Sequence, residues 1–216
     1  IKQFNKEGLS VDIQYVQGLR IVKSDTNTDK DAIIFIHGTP GSADAFYTYL
    51  KDTVLRKKFT LIALDRLGYG YSRYGNPVVS IEEQASSIKN VLFDYSSVYA
   101  VGHSYGGPVA CELLYQSDNV KSAILLAPAL FPHQEKFYGG AKLAKSTFGK
   151  VIVSKAIYVA SQEKVNHQSA LEAVETHWDS IVKRVVFIHS KDDQIVPFKE
   201  NYEYLKTLYS DKRFIK

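Results

Sequence analysis

The chain has 216 residues, of which 45% are hydrophobic and 23% are charged, a composition typical of one folded domain with a large buried core. The net charge of +4 is small, and basic residues are interspersed with acidic ones, which argues against nucleic-acid binding. No apolar run reaches the roughly 18 residues of a membrane-spanning helix, and the single Cys111 excludes an internal disulfide. These features leave open the oligomeric state and whether the protein is cytoplasmic or exported.

Strand and helix patterns alternate along most of the chain. Residues 9–16 and 19–23 flank Gln17 and Gly18 and predict an antiparallel hairpin. Five short apolar, β-branched runs follow, at residues 32–36, 60–64, 98–101, 122–126 and 185–188. Apolar residues at helical spacing occur between them, at residues 43–54, 81–95 and 109–116. This alternation predicts an α/β fold, with flanking helices on a mostly parallel sheet.

The alternation is interrupted between residues 131 and 183. A simple crossover between neighbouring strands needs far fewer residues than this segment contains. Helical patterns within it lie at residues 140–144, 151–160 and 170–181, so we interpret residues 131–183 as a helical lid. The lid would divide the core into a first part, 1–130, and a second part, 184–216. A helix at 200–209 and a strand starting at 213 are expected in the second part.

One motif predicts nucleophilic chemistry. Residues 102–106 read Gly-His-Ser-Tyr-Gly and lie between a predicted strand and a predicted helix. A serine hydroxyl is a weak nucleophile, so it has to project from a tight turn where a base can reach it. The glycines that flank Ser104 keep such a turn free of side-chain clashes. The alternative interpretation is a glycine-rich turn that has no chemical role.

Further motifs occur in order along the chain. Residues 37–41, which read His-Gly-Thr-Pro-Gly, follow the strand at 32–36. Residues 65–72 read Asp-Arg-Leu-Gly-Tyr-Gly-Tyr-Ser, and residues 192–197 read Asp-Asp-Gln-Ile-Val-Pro. With the serine motif, they resemble the α/β-hydrolase family, and specifically its lid-bearing, serine-dependent esterase and lipase branch. The resemblance covers residues 32–130 and 185–216, and no motif in the lid contributes to it.

The resemblance implies roles for particular residues. Ser104 would be the nucleophile, and the backbone N–H groups of Thr39 and Tyr105 would form the oxyanion hole. Asp193 would be the triad acid, with Asp192 as a second choice. Asp193 could alternatively be a helix N-cap before Pro197. The residues that would support the two loops are His37, Gly38, Gly41, His103 and Gly106, while residues 65–72 would act as scaffold.

The triad histidine is expected after the acid in this family. All histidines of the chain precede Asp193, namely His37, His103, His133, His167, His177 and His189. The resemblance therefore places the base beyond Lys216. His177 could substitute for it from the lid, although a surface position is the simpler interpretation. His189 lies at a strand end and cannot readily face both Ser104 and Asp193.

Hydrolysis of an ester or a related carbonyl compound, through an acyl-enzyme on Ser104, is the function that these features predict. A small-molecule substrate is expected, and neither a cofactor nor a metal is needed. Residues 68–73 and 102–107 fail as dinucleotide or P-loop signatures, because Arg73 and Pro108 stand where glycine and lysine are required. Two alternatives remain: a catalytically silent binding protein on a hydrolase scaffold, and a cofactor-free perhydrolase or carbon–carbon hydrolase.

Overall fold

The computed structural model describes residues 11–24, 31–132, 153–208 and 214–215. The strands in these ranges are β1 (Val11–Val16), β2 (Leu19–Ser24), β3 (Ala32–Ile36), β4 (Thr60–Leu64), β5 (Val98–His103), β6 (Val120–Leu126), β7 (Arg184–Ile188) and β8 (Phe214–Ile215). The helices are α1 (Tyr47–Leu50), α2 (Thr53–Lys58), α3 (Ile81–Lys89), α4 (Gly106–Gln116), α5 (Lys155–Glu172), α6 (Glu175–Trp178) and α7 (Phe198–Leu208). A 3₁₀ turn, Ala43–Phe46, precedes α1.

The strands of the described ranges form one sheet in the order β1-β2-β4-β3-β5-β6-β7-β8. β2 pairs antiparallel with both β1 and β4, and all other neighbours are parallel. The β1–β2 hairpin turns at Gln17 and Gly18, whose φ angles of 50° and 86° fit a two-residue hairpin turn. The predicted α/β fold with a mostly parallel sheet is confirmed, and so is the hairpin.

Hydrophobic residues cover both faces of the sheet. Ile34 and Ile62 pack with α3 and α4 on one face, while Phe35 and Leu61 pack with the 3₁₀ turn and α1 on the other. Neighbouring residues of one strand point to opposite faces, so a strand that is covered on both sides has to be apolar throughout. This requirement explains why the central strands were visible in the sequence as continuous apolar runs.

The segment 43–54 differs from its predicted single helix. It forms the 3₁₀ turn and α1, and α2 then begins at Thr53. The side chain of Asp52 accepts hydrogen bonds from the amides of Val54 and Leu55, both at 2.9 Å, and so caps the start of α2. An aspartate that binds nearby amides favours a new helix start over a continuous helix.

Two helices of the predicted insert are described. α5 is longer than the pattern at 151–160 suggested, and the pattern at 170–181 divides into the end of α5 and the short α6. Ser154 caps α5 by accepting a hydrogen bond from the amide of Ile157. The pattern at 140–144 lies outside the described residues. No helix within the described ranges has the length and apolar character needed to cross a membrane.

Candidate active site

Ser104 lies in the turn between β5 and α4. Its φ angle of 52° is in the left-handed region, which residues other than glycine rarely adopt. The amide of Ser104 donates to the Leu126 carbonyl at 3.0 Å, and the Ser104 carbonyl accepts from the amides of Gly107 and Ala129. These bonds to β6 and to the loop after it hold the uncommon backbone conformation in place.

Two positions near Ser104 have to be glycine because neighbouring atoms leave no room for a Cβ atom. A Cβ atom on Gly106 would lie 2.2 Å from the carbonyl oxygen of Ile36, so the turn and the end of β3 could not both keep their positions. A Cβ atom on Gly38 would lie 2.9 Å from the Cβ of Ser104. The loop at 37–41 therefore comes into direct contact with the serine, and Gly41 packs against the His37 ring within that loop.

A cavity of about 240 Å³ opens beside Ser104. Three groups of residues surround it: the serine turn with the loop at 37–41, the loop at 192–197, and the insert helix α5. The lining residues are Thr39, Ser104, Tyr105, Ala129, Phe131, Lys164, His167, Ile195, Val196, Pro197 and Asn201. The structure thus brings together the serine turn, the predicted oxyanion loop and the predicted acid loop at one edge of the sheet, where the parallel strands end.

Asp193 is held by its own loop. Its Oδ1 accepts hydrogen bonds from the amides of Ile195 and Val196, both at 2.9 Å, and its Oδ2 lies 3.3 Å from His189 Nε2. Burial raises the pKa of Asp193, but these amide bonds and His189 outweigh burial, and the pKa is lowered. α7 begins at Phe198, so Asp193 stabilises a turn rather than serving as the N-cap of this helix.

His103 connects the serine turn to the acid loop electrostatically. Burial lowers its pKa, and the carboxylate of Asp193 acts in the opposite direction and raises it.

His37 is a buried structural partner of the oxyanion loop. Its Nε2 accepts a hydrogen bond from the amide of Arg66 at 2.9 Å, so the proton of the neutral ring sits on Nδ1, 2.7 Å from the Gly38 carbonyl. Burial, and then the charge of Arg66, lower the pKa of His37 well below its ordinary value. His37 is absent from the lining of the cavity described above.

Asp65 joins three segments behind the site. It is fully buried, and it accepts hydrogen bonds from Arg20 Nη1 at 3.1 Å, the Ala43 amide at 2.8 Å and the Tyr71 amide at 2.9 Å. Ser72 Oγ accepts from the Arg20 amide at 2.8 Å. The segment 65–72 therefore ties β2 to the start of the 3₁₀ turn that follows the oxyanion loop.

Residues of the insert helix α5 that were not identified from the sequence reach the site, and two of them, Glu163 and His167, lie against the loops of the active site. Glu163 is fully buried against the oxyanion loop, and His167 lines the cavity with its ring 4.9 Å from that of Tyr105. They are four residues apart on α5 and so share one helix face. That spacing was the only signal in the sequence, and it gives no indication of what the face contacts.

The other histidines occupy different positions. His177 of α6 does not lie at the cavity. Its Nδ1 is 3.2 Å from Glu112 Oε1, and its ring stacks on that of Tyr115, both of which are residues of α4. His189 contacts Asp193 but does not line the cavity. His133 lies outside the described residues. Across the ranges that the structure covers, no group of three or more His, Cys, Asp or Glu side chains is placed to hold a metal ion.

Comparison with known families identifies the class of protein. Residues 31–156 match the family described as alpha/beta hydrolase fold, and the chain belongs to that family. Among solved structures, an esterase from Exiguobacterium antarcticum superimposes with a TM-score of 0.68 at 22% identity, covering 93% of this chain and 87% of that one. A serine hydrolase from Cycloclasticus zankles gives a TM-score of 0.68 at 17% identity, covering 96% and 88%. At these identities the similarity is one of fold.

Relatives by sequence match about half of the chain. The Arabidopsis thaliana protein named Probable lysophospholipase BODYGUARD 4 is 28% identical over 123 residues, which are 52% of this chain and 30% of that protein. The Mesoderm-specific transcript protein of Mus musculus is 33% identical over 122 residues, which are 53% and 36% of the two chains. The matched part of the chain spans about a third of the length of these relatives.

Proposed function

We propose that this α/β hydrolase cleaves an ester or a related carbonyl compound through an acyl-enzyme on Ser104. The observation that carries the proposal is the serine in a left-handed turn beside a cavity that the oxyanion loop and the acid loop also line. A hydroxyl on such a turn is exposed to both substrate and base. The esterase and serine hydrolase that share the fold make this reaction class the natural starting point.

In the proposed reaction, Ser104 Oγ attacks the carbonyl carbon and its proton passes to the base. The oxygen of the tetrahedral intermediate accepts hydrogen bonds from the Thr39 and Tyr105 amides. The intermediate collapses, the alcohol leaves with the proton, and water then releases the acyl group by the same steps. Asp193 would orient the base, which in this family is a histidine that follows the acid along the chain.

The insert contributes to the binding pocket in this proposal. Lys164 and His167 of α5 line the cavity on the side of the insert, and Phe131 lines it where the segment begins. We propose that residues 131–183 act as a lid that limits which acyl groups reach Ser104. The cavity walls combine apolar side chains, among them Phe131 and Ile195, with polar ones that could orient a carbonyl compound, among them Lys164, His167 and Asn201.

Covalent labelling tests the proposal. The full-length protein should react with a fluorophosphonate probe, and Ser104→Ala should abolish labelling because the attacking oxygen is gone. Ser169→Ala is the matched control, since Ser169 is an exposed serine on α5. Labelling is read by gel fluorescence and by the mass of the modified peptide. A folded full-length protein that does not react would contradict the proposal and would favour the catalytically silent binding protein.

A further inference from the structure

Glu163 connects the insert to the oxyanion loop. It is fully buried, and its carboxylate accepts hydrogen bonds from Arg66 Nη1 at 2.7 Å, Arg66 Nη2 at 3.1 Å and the Tyr69 hydroxyl at 2.7 Å. The hydroxyl of Thr39 also donates to Glu163 Oε2. A residue of α5 is therefore bonded directly to the residue whose amide is proposed to bind the oxyanion.

Arg66 makes the complementary contacts to the same loop. Its Nε donates to the His37 carbonyl at 2.9 Å, and its Nη2 donates to the Gly38 carbonyl at 3.1 Å and to Thr39 Oγ1 at 2.8 Å. The guanidinium also lies 4.7 Å from the ring centre of Tyr105. Arg66 thus contacts both residues that would supply the oxyanion amides.

These bonds determine where the Thr39 amide points. The Gly38–Thr39 peptide is trans, so its C=O and N–H groups point in opposite directions. Arg66 holds the Gly38 carbonyl, and the Thr39 N–H therefore points away from Arg66. The same carbonyl lies 2.7 Å from His37 Nδ1, so a change that moved Arg66 would remove one of the two bonds that orient this peptide plane and with it the proposed oxyanion donor.

The position of Arg66 depends on Glu163. Both side chains of this ion pair are fully buried, and a buried guanidinium without its counter-charge is strongly destabilised. Burial lowers the pKa of Arg66, but the Glu163 carboxylate outweighs burial and the pKa is raised. Burial and the same carboxylate also raise the pKa of Tyr69. Glu163 accepts hydrogen bonds from Arg66, Tyr69 and Thr39 and is therefore the central acceptor of the cluster.

We propose that Glu163 is a positioning residue for catalysis: from the insert helix, it fixes Arg66 and Thr39 and thereby aims the Thr39 amide at the oxyanion. This inference rests on the proposed function. It assigns the insert a second task, because α5 would help form the catalytic geometry as well as the wall of the pocket. Preorganised donors of this kind act on the transition state more than on the bound substrate.

The test compares Glu163→Gln with Glu172→Gln in the full-length protein, using p-nitrophenyl acetate. Glu172 is an exposed glutamate on the same helix, whose carboxylate contacts Gln168. For Glu163→Gln we expect kcat to fall roughly 10- to 100-fold while KM changes less than about threefold, because removal of a single oxyanion donor typically costs about 100-fold or more. Glu172→Gln should keep the wild-type kcat.

A second variant keeps the test valid if Glu163→Gln does not fold. Thr39→Val removes only the hydroxyl that joins the loop to the ion pair, and it too should lower kcat with little change in KM. Where Glu163→Gln does fold, the loss in the double variant should be smaller than the product of the two single losses, because both changes break the same connection. Independent, multiplicative losses would overturn the inference, as would an unchanged kcat in folded Glu163→Gln or in Thr39→Val.

Ser104→Ala separates this inference from the proposed function. If Ser104→Ala turns over substrate like the wild type, both fall together. If Ser104→Ala is inactive while folded Glu163→Gln matches Glu172→Gln in kcat, the proposed function stands and the role of Glu163 is refuted. A rise in KM without a change in kcat would likewise assign Glu163 to substrate binding and refute positioning.

Discussion

The pKa of His103, in the serine turn, depends on the charge of Asp193, in the acid loop. The carboxylate of Asp193 raises the pKa of His103, which burial alone would lower further. Asp193→Asn removes the charge, while an amide oxygen can still accept the bonds from Ile195 and Val196. We therefore expect the pKa of His103 to fall in this variant, as measured by NMR titration of the ring with His103→Gln to assign the signal.

The neighbouring acid provides the control for this titration. Asp192→Asn removes the same charge one residue away, whereas the shift in the pKa of His103 is due to burial and to Asp193. The His103 pKa should therefore stay at its wild-type value in Asp192→Asn. A downward shift in Asp192→Asn and none in Asp193→Asn would show that the wrong aspartate has been assigned to the acid position.

The sequence predicted the local backbone at Ser104 but not the long-range contact of Glu163. The Gly-x-Ser-x-Gly spacing pointed to the uncommon backbone at Ser104, because such a turn needs glycines beside it. The contact of Glu163 with Arg66 joins residues 97 positions apart, and neither residue has a neighbouring pattern that indicates its partner. Periodicity reveals which face of a helix is buried, but it contains no information on which loop that face meets.

Among the structural elements, α6 is attached to α4 through a buried acid. Glu112 is fully buried, and it accepts a hydrogen bond from Trp178 Nε1 at 3.2 Å. Trp178→Phe removes this donor and leaves a void, so the free energy of unfolding should fall by about 2–4 kcal/mol. Urea denaturation followed by circular dichroism measures the change.

The control for this substitution is an aromatic residue at the surface. Phe93 is 75% exposed, so Phe93→Leu should change the free energy of unfolding by no more than about 0.5 kcal/mol. Equal losses in the two variants would mean that α6 is not docked on α4 as described, since burial is what distinguishes the two positions.

The elements themselves were predicted with uneven success, for physical reasons. Central strands are buried on both faces, and the sequence shows them as uninterrupted apolar runs. The segment 43–54 was predicted as one helix from the spacing of its hydrophobic residues. That spacing contains no information on the polar Asp52, whose side chain caps a new helix, α2. In the insert, α5 extends well beyond the predicted pattern, since part of its buried face is polar and includes Glu163 and His167.

At the scale of the whole molecule, the size of the cavity predicts which esters the proposed hydrolase activity would prefer. A volume of about 240 Å³ is below the roughly 300–1,000 Å³ of typical ligand pockets. We expect kcat/KM for p-nitrophenyl esters to be highest for acetate to butyrate, and to be at least about tenfold lower for octanoate, because a longer chain cannot be desolvated inside the pocket. Initial rates across the series provide the measurement.

A variant that enlarges the cavity checks the cause of this preference. Phe131 contributes an aromatic wall, and Phe131→Ala should shift the optimum toward longer acyl chains. A wild-type optimum at octanoate would contradict the prediction. So would a Phe131→Ala profile identical to that of the wild type, because the wall would then not limit chain length.

The bond between Glu163 and Arg66 has a consequence for protein engineering. Exchanging the insert for that of another hydrolase is an obvious way to transplant a new specificity onto this scaffold. Here the donor segment would also have to supply a carboxylate at the position of Glu163, or the recipient would lose the partner of a buried arginine. Chimeras that keep a glutamate at the position of Glu163 should be more active than chimeras whose insert matches only the shape of the original one.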